Sequence, residues 1–191
     1  MGKERLTAFS DGVIAVIITI MVLELKAPHG ADFSVLGKLV PIFLSYVMSF
    51  LYIAIYWNNH HHLLAVCERV SGKVLWANMH LLFWLSLVPF TTAWLAENHF
   101  APLPTLLYGV SLFMPAIAYA ILQLALMSAH GPDSTLATAL GAGLKEWVSL
   151  GLYVVGIAIA LSFPMISLVI YVGVALLWLI PDRRIERVIQ S

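Results

Sequence analysis

Charge is scarce in this chain: only 10% of its 191 residues are Asp, Glu, Lys or Arg, where soluble domains carry about 25%. So little polar surface cannot cover a fold in water. The 10 basic and 10 acidic side chains cancel, which leaves no basic face to hold nucleic acid. A single cysteine, Cys67, excludes an internal disulfide. Also missing are a Walker loop, a Gly-rich nucleotide fingerprint and a Thr-Val-Gly-Tyr-Gly potassium filter. Any ion selectivity must come from another device.

What is present is apolar: 61% of the residues are hydrophobic and the mean hydropathy is +0.94, the composition of an integral membrane protein. A spanning helix needs about 20 mostly apolar residues, and six stretches qualify, at 6–25, 39–57, 74–96, 103–127, 147–163 and 165–180. The even number puts both termini on one side of the bilayer. The breaks between them are short and carry Gly, Pro, Asn and charged residues, leaving no room for a soluble domain. The expectation is one transmembrane domain over 1–191, all-α, with six transmembrane helices. The basic, apolar start has the outline of a secretory signal, but Ser10 and Asp11 interrupt it and no small-x-small cleavage site follows. It reads as a retained first helix.

Basic residues set the orientation. Lys3, Arg5, Arg69, Lys73, Lys145, Arg183, Arg184 and Arg187 would lie on one side and only Lys26 and Lys38 on the other. Cytoplasmic loops are enriched in Lys and Arg, so both termini are expected in the cytoplasm, with the chain in the cell's inner (plasma) membrane. Trp57, Trp76, Trp94, Trp147 and Trp178 lie near predicted helix ends, where indole rings settle at the headgroups.

The first helix is the unusual one. Its uninterrupted apolar part, 12–23, spans only about 18 Å of a hydrocarbon core about 30 Å thick, so Phe9, Ser10 and Asp11 fall inside the membrane. An Asp at a helix centre costs about 2.5 to 3.5 kcal/mol on the mildest scales, and such groups usually face protein or water. The first helix is therefore expected to be the most enclosed of the six. At about 100° per residue, Phe9, Gly12, Val16, Ile20 and Leu23 form one stripe, with Thr19 at its edge. Ser10 and Asp11 point about 120 to 140° away from Val16 by the same rule, toward a different neighbour. Asp11 and His80 lie at similar depth, about 9 Å from the cytoplasmic ends of their helices. Asn78, His80 and His60 to His62 are thus candidates to meet Arg5, Ser10 and Asp11 in one polar cluster.

Arg5-x-x-x-Phe9-Ser10-Asp11, followed by Ala15, Thr19 and Leu23-Glu24, resembles the first-helix signature of the bacterial TMEM175 potassium channels. Pro89-Phe90-Thr91 and the six-helix pattern fit the same family, whose likeness covers most of the chain. The resemblance implies a homotetramer around a central pore lined by the first helix, passing potassium ions through rings of large apolar side chains. Val16, Ile20 and Leu23 are then the constriction positions and Thr19 a hydroxyl-bearing one implicated in selectivity. Arg5, Phe9, Ser10, Asp11, Asn78 and His80 become the structural network that holds the helix. Val16 is smaller than the Ile or Leu typical of its position, which opens Ile20 and Leu23 beside Val16 as candidates for the narrowest ring. Apolar rings close by dewetting, and potassium loses less than the more tightly hydrated sodium on entering. No cofactor, metal or enzymatic step is implied; the partners are potassium, further copies of the chain and the bilayer.

Plainer readings stand beside these. Without the signature, the stripe has the period of any packed helix. Three consecutive histidines point about 100° apart and cannot all ligate one ion. His80 alone reads as a hydrogen-bonded interior histidine. Glu24 and Lys26 fit an interfacial pair, although Glu24 is also placed to border an outer vestibule. The tail from Asp182 to Arg187 fits a positive-inside anchor. The alternative function is a proton-coupled or proton-conducting transporter built on Asp11 and His80, against which stands the absence of internal repeats or paired broken helices. A histidine-based membrane enzyme would need an organised set of ligands that the sequence does not offer.

Overall fold

A computed structural model describes residues 2–29, 32–131 and 143–179. They form seven helices: α1 (Lys3–Leu23), α2 (Phe33–Ala65), α3 (Gly72–Ser86), α4 (Val88–Glu97), α5 (Pro102–His130), α6 (Leu144–Ile159) and α7 (Pro164–Leu179). Four spans, Lys3–Leu23, Leu39–Ala65, Gly72–Glu97 and Pro102–His130, are long and apolar enough to cross a membrane. The shorter α6 and α7, each 16 residues, complete an all-α subunit of six passes. Ile180, the tail with Arg183, Arg184 and Arg187, and 132–142 of the fourth loop lie outside the described residues.

Two passes differ from the sequence expectation. The second, expected to end at Trp57, continues to Ala65, because its polar run finds partners: Asn59 donates to the Ile55 carbonyl at 2.8 Å and His60 bonds Asn78 at 2.7 Å. The third, expected as one helix, breaks at Leu87 into α3 and α4. Pro89 is the cause, since its ring has no N–H to give and crowds the carbonyl one turn earlier; it is accommodated at the start of α4, where that donor is not needed.

Two apolar clusters hold the bundle. One gathers Leu6, Ile14, Ile17 and Met21 of α1 with Ile53, Leu63, Leu81, Leu85, Val88 and Leu122. The other joins Tyr52, Leu95, Tyr108 and Leu112 to Tyr153 of α6 and Tyr171 of α7. Where lipid is as apolar as leucine, packing and interhelical hydrogen bonds drive association. Ser49 of α2 accordingly bonds both Thr92 (2.7 Å) and Tyr108 (2.9 Å), and Thr91 meets Ser111 at 2.7 Å. The ends are tied as well: the Lys3 ammonium donates to the Ala65 carbonyl at 2.6 Å, capping α2 with a cation at its negative end and putting the start of α1 beside the end of α2.

Tyr171 shows how close this packing is. Its buried ring passes between Gly109 of α5 and Gly156 of α6; a Cβ on Gly156 would stand 2.6 Å from the ring's Cε1. Substituting Gly156→Leu therefore forces the ring aside, and overpacking of this kind costs about 1–3 kcal/mol or more. A lower melting temperature and a smaller monodisperse peak in size-exclusion chromatography are expected; an unchanged melting curve contradicts the slot. At the α2–α3 corner, Cys67 is fully buried, its thiol donating to the Arg69 carbonyl at 3.3 Å, and burial pushes that thiol up from its ordinary range. Maleimide at neutral pH should label it only after unfolding, which mass spectrometry can follow.

Candidate pore helix and its polar anchor

The face that α1 turns inward consists of Leu6, Ser10, Ile14, Ile17 and Met21, spaced three and four apart as a helix buried on one side requires. Its opposite face is uncovered in the single subunit: Val16 is 55% exposed, Ile20 43%, Leu23 76% and Phe9 47%, with Gly12 and Thr19 exposed between them. Within the single chain the first helix is not the most enclosed; α3 and α4 carry more buried positions for their length, because the chain supplies neighbours for only one side of α1. Thr19 spends its hydroxyl proton on the Val16 carbonyl at 2.9 Å. Its outward oxygen therefore presents lone pairs, the end a cation attracts.

Ser10 is completely buried and serves both as donor and as acceptor. Its hydroxyl donates to the Leu6 carbonyl at 2.8 Å and accepts from the Asn78 amide at 2.9 Å. The Asn78 oxygen in turn lies 2.7 Å from Nε2 of His60, and both residues are fully buried. Since Asn78 presents its oxygen there, the His60 tautomer with hydrogen on Nε2 completes the chain. Ser10, Asn78 and His60 thereby link α1, α3 and α2 across the core. An unpaired polar group in such a place costs about 1–3 kcal/mol.

The single cluster expected from the sequence is divided. Asp11, half-buried, accepts from the Trp57 indole at 3.0 Å. His80 takes no part in either contact; it lies two residues from Asn78, about 200° around α3, and accepts from the Trp84 indole at 2.8 Å. Arg5 is exposed on the subunit surface, and Phe9 lies beside the open stripe. Trp57, read from sequence as an interfacial ring, also holds the signature carboxylate, and of the histidines expected in the cluster His60 joins the Asn78–Ser10 chain while His80 does not. An α2 extended through 58–65 is the signal that would have placed both. Among the described residues, no group of three or more His, Cys, Asp or Glu side chains is arranged to hold a metal ion. Glu24 is exposed, and Lys26 pairs with Glu97 at 3.6 Å.

Comparisons with known proteins follow the same lines. Residues 5–89 match the family model described as the endosomal/lysosomal potassium channel TMEM175. A protein from Chryseobacterium sp. (strain P1-3), described as a potassium channel, is 52% identical over 187 residues, covering 98% of this chain and 97% of its own length. A zebrafish (Danio rerio) relative described as an endosomal/lysosomal proton channel is 26% identical over 135 residues, 68% of this chain and 25% of that protein. Among solved structures, the crystal structure of a lysosomal potassium-selective channel TMEM175 homolog from Chamaesiphon minutus superposes with a TM-score of 0.78 at 29% identity, over 93% of this chain and 96% of that one.

The hydrogen-bond chain makes a discriminating prediction. Asn78→Ala strands both Ser10 and His60 and should destabilise the subunit by about 1–3 kcal/mol, whereas His80→Ala, which loses one contact within α3, should stay within about 1 kcal/mol. Melting curves of the two purified variants in detergent decide it; equal losses would contradict the anchor described here.

Proposed function

The chain belongs to the TMEM175 channel family, and from that premise we propose that it is a potassium channel: a homotetramer in the inner membrane, its termini cytoplasmic and its pore lined by α1. The observation that carries this reading is the bare stripe on α1. One face of the helix is locked into the subunit by Ser10, Asn78 and His60, while the opposite face keeps Val16, Thr19, Ile20 and Leu23 uncovered along its length. Four such helices around an axis would stack these positions as rings, Val16 and Ile20 about 6 Å apart.

Apolar rings offer an ion no ligands, so passage depends on the cost of losing water and on whether the constriction is wetted. Potassium sheds its shell more cheaply than sodium, and the Thr19 oxygens, facing the stripe with free lone pairs, give the hydrated ion acceptors beside Val16 and Ile20. Selectivity of this kind is a difference in dehydration and stays modest. Ser10 and Asp11 take no part in permeation; they set the roll of α1 and hence which side chains face the axis. Arg5 remains at the open surface near the cytoplasmic end, with the neighbouring subunit as its candidate contact. The function requires no chemical step and no cofactor.

Purified protein in liposomes should pass potassium down its gradient faster than sodium. Ile20→Asn or Leu23→Asn, which puts polar groups into a ring, should raise sodium flux about tenfold, the equivalent of ~1.4 kcal/mol of barrier. Unchanged flux in both variants would remove α1 from the pore. Proton passage is the second reading, favoured by the half-exposed Asp11 and by the description of the vertebrate relatives; a pH-sensitive dye in the same liposomes, with Asp11→Asn as comparison, separates the two.

A further inference from the structure

A second polar feature lies away from the pore helix. α2, α5, α6 and α7 enclose a cavity of about 70 Å³ whose wall includes Tyr56, Tyr119, Gln123, Glu146, Tyr153 and Trp178. We infer that this cavity is a binding site for the ammonium group of an organic amine.

The first ground is Glu146. Its Oε2 atom is buried and has no hydrogen-bond partner among the described residues. A carboxylate oxygen shielded from water and given no donor is costly, and an arriving cation removes that cost. The second ground is the wall. Aromatic faces attract ammonium groups through the ring quadrupole, and several rings around one space make the cage that recognises substituted ammonium ions. The rim supplies an example from the chain itself, since the Lys145 ammonium stands 4.5 Å from the centroid of the Trp178 ring.

The other polar groups of the wall exclude a bare metal ion. Ser149 donates to the Lys145 carbonyl at 2.8 Å and accepts from the Trp178 indole at 2.8 Å. The Asn59 amide donates to the Ile55 carbonyl, and the Tyr119 hydroxyl to the Asn59 carbonyl at 3.1 Å. Tyr52 gives its proton to the Tyr171 carbonyl at 2.6 Å. With these groups committed, the Glu146 carboxylate, the neutral Gln123 amide and a surface of rings remain. A dehydrated inorganic cation needs six or so oxygens; an alkylated ammonium needs one counter-charge and apolar walls. Tyr56 and Asn59 of the wall alternate along α2 with Trp57, which bonds Asp11 of α1, and His60, which bonds Asn78 of α3. An occupant would therefore sit next to the anchor of the pore helix.

The test is equilibrium dialysis of radiolabelled tetramethylammonium against the purified full chain in detergent. Saturable binding of one cation per subunit is expected, weakened at least about tenfold in Glu146→Gln, a loss of ~1.4 kcal/mol, and unchanged in Ile20→Asn. Tyr153→Phe, which keeps the ring, should bind like the parent, and Tyr153→Leu should not; melting curves confirm that each variant is folded. No saturable binding, equal binding by Glu146→Gln, or one cation per four chains lost in Ile20→Asn would overturn the site, the last placing the cation in the pore. Binding is read without ion flux, so a chain that fails to conduct still answers.

Discussion

The subunit depends on how α1 is rolled about its own axis, and one buried hydroxyl governs that roll. Ser10 has exchanged water for two partners, the Leu6 carbonyl and the Asn78 amide. In a low-dielectric interior, turning α1 by one residue would break the bond to Asn78 and leave Asn78 and His60 short of a partner, whereas the Leu6 bond lies within α1 and turns with it. Leu6, Ile14, Ile17 and Met21 lie on the same face and add packing to this polar restraint. An apolar stripe alone would tolerate many rotations, because leucine against leucine differs little from leucine against lipid. The polar chain supplies the direction that hydrophobicity cannot.

Around that anchor, the bundle divides its polar groups by depth and purpose. Ser49, Thr92 and Tyr108 join α2, α4 and α5, while Thr91 and Ser111 repeat the join between α4 and α5. Each hydroxyl also satisfies a group that lipid would leave bare. Ser10 and Asp11 of the first helix, bonded to Asn78 and Trp57, belong with these interhelical ties, while Thr19 and His80 bond within their own helices.

Much of this was legible in the sequence. The helical period isolates Val16, Thr19, Ile20 and Leu23 as one face and puts Ser10 on another, and the structure uncovers the first set while burying Ser10. The partners of the signature were harder to see. Asn58 to His62 read as the polar cytoplasmic end of α2, since nothing local shows which of them have bonding partners in the bundle; with the apolar span ending at Trp57, that ring reads as interfacial. His80 was favoured over His60 because depth along a helix is readable from sequence, whereas the side it faces depends on how α3 is rotated. The cavity with Glu146 was invisible for a simpler reason: its wall comes from four separate helices, α2 and the three from α5 to α7, and sequence does not show which faces they turn to one another.

The break at Leu87 carries a mechanical consequence. Below it, Leu81, Leu82 and Leu85 pack in the cluster that grips α1; above it, Leu95 belongs to the cluster built on Tyr108 and Tyr171. A single membrane crossing is therefore shared between two apolar clusters, Val88 at the start of α4 still packing with the first, and Pro89 removes the backbone bond that would make it one rigid rod. Such a crossing has a joint at Leu87, so that a displacement of α4 would be absorbed there while α3 keeps its grip on α1.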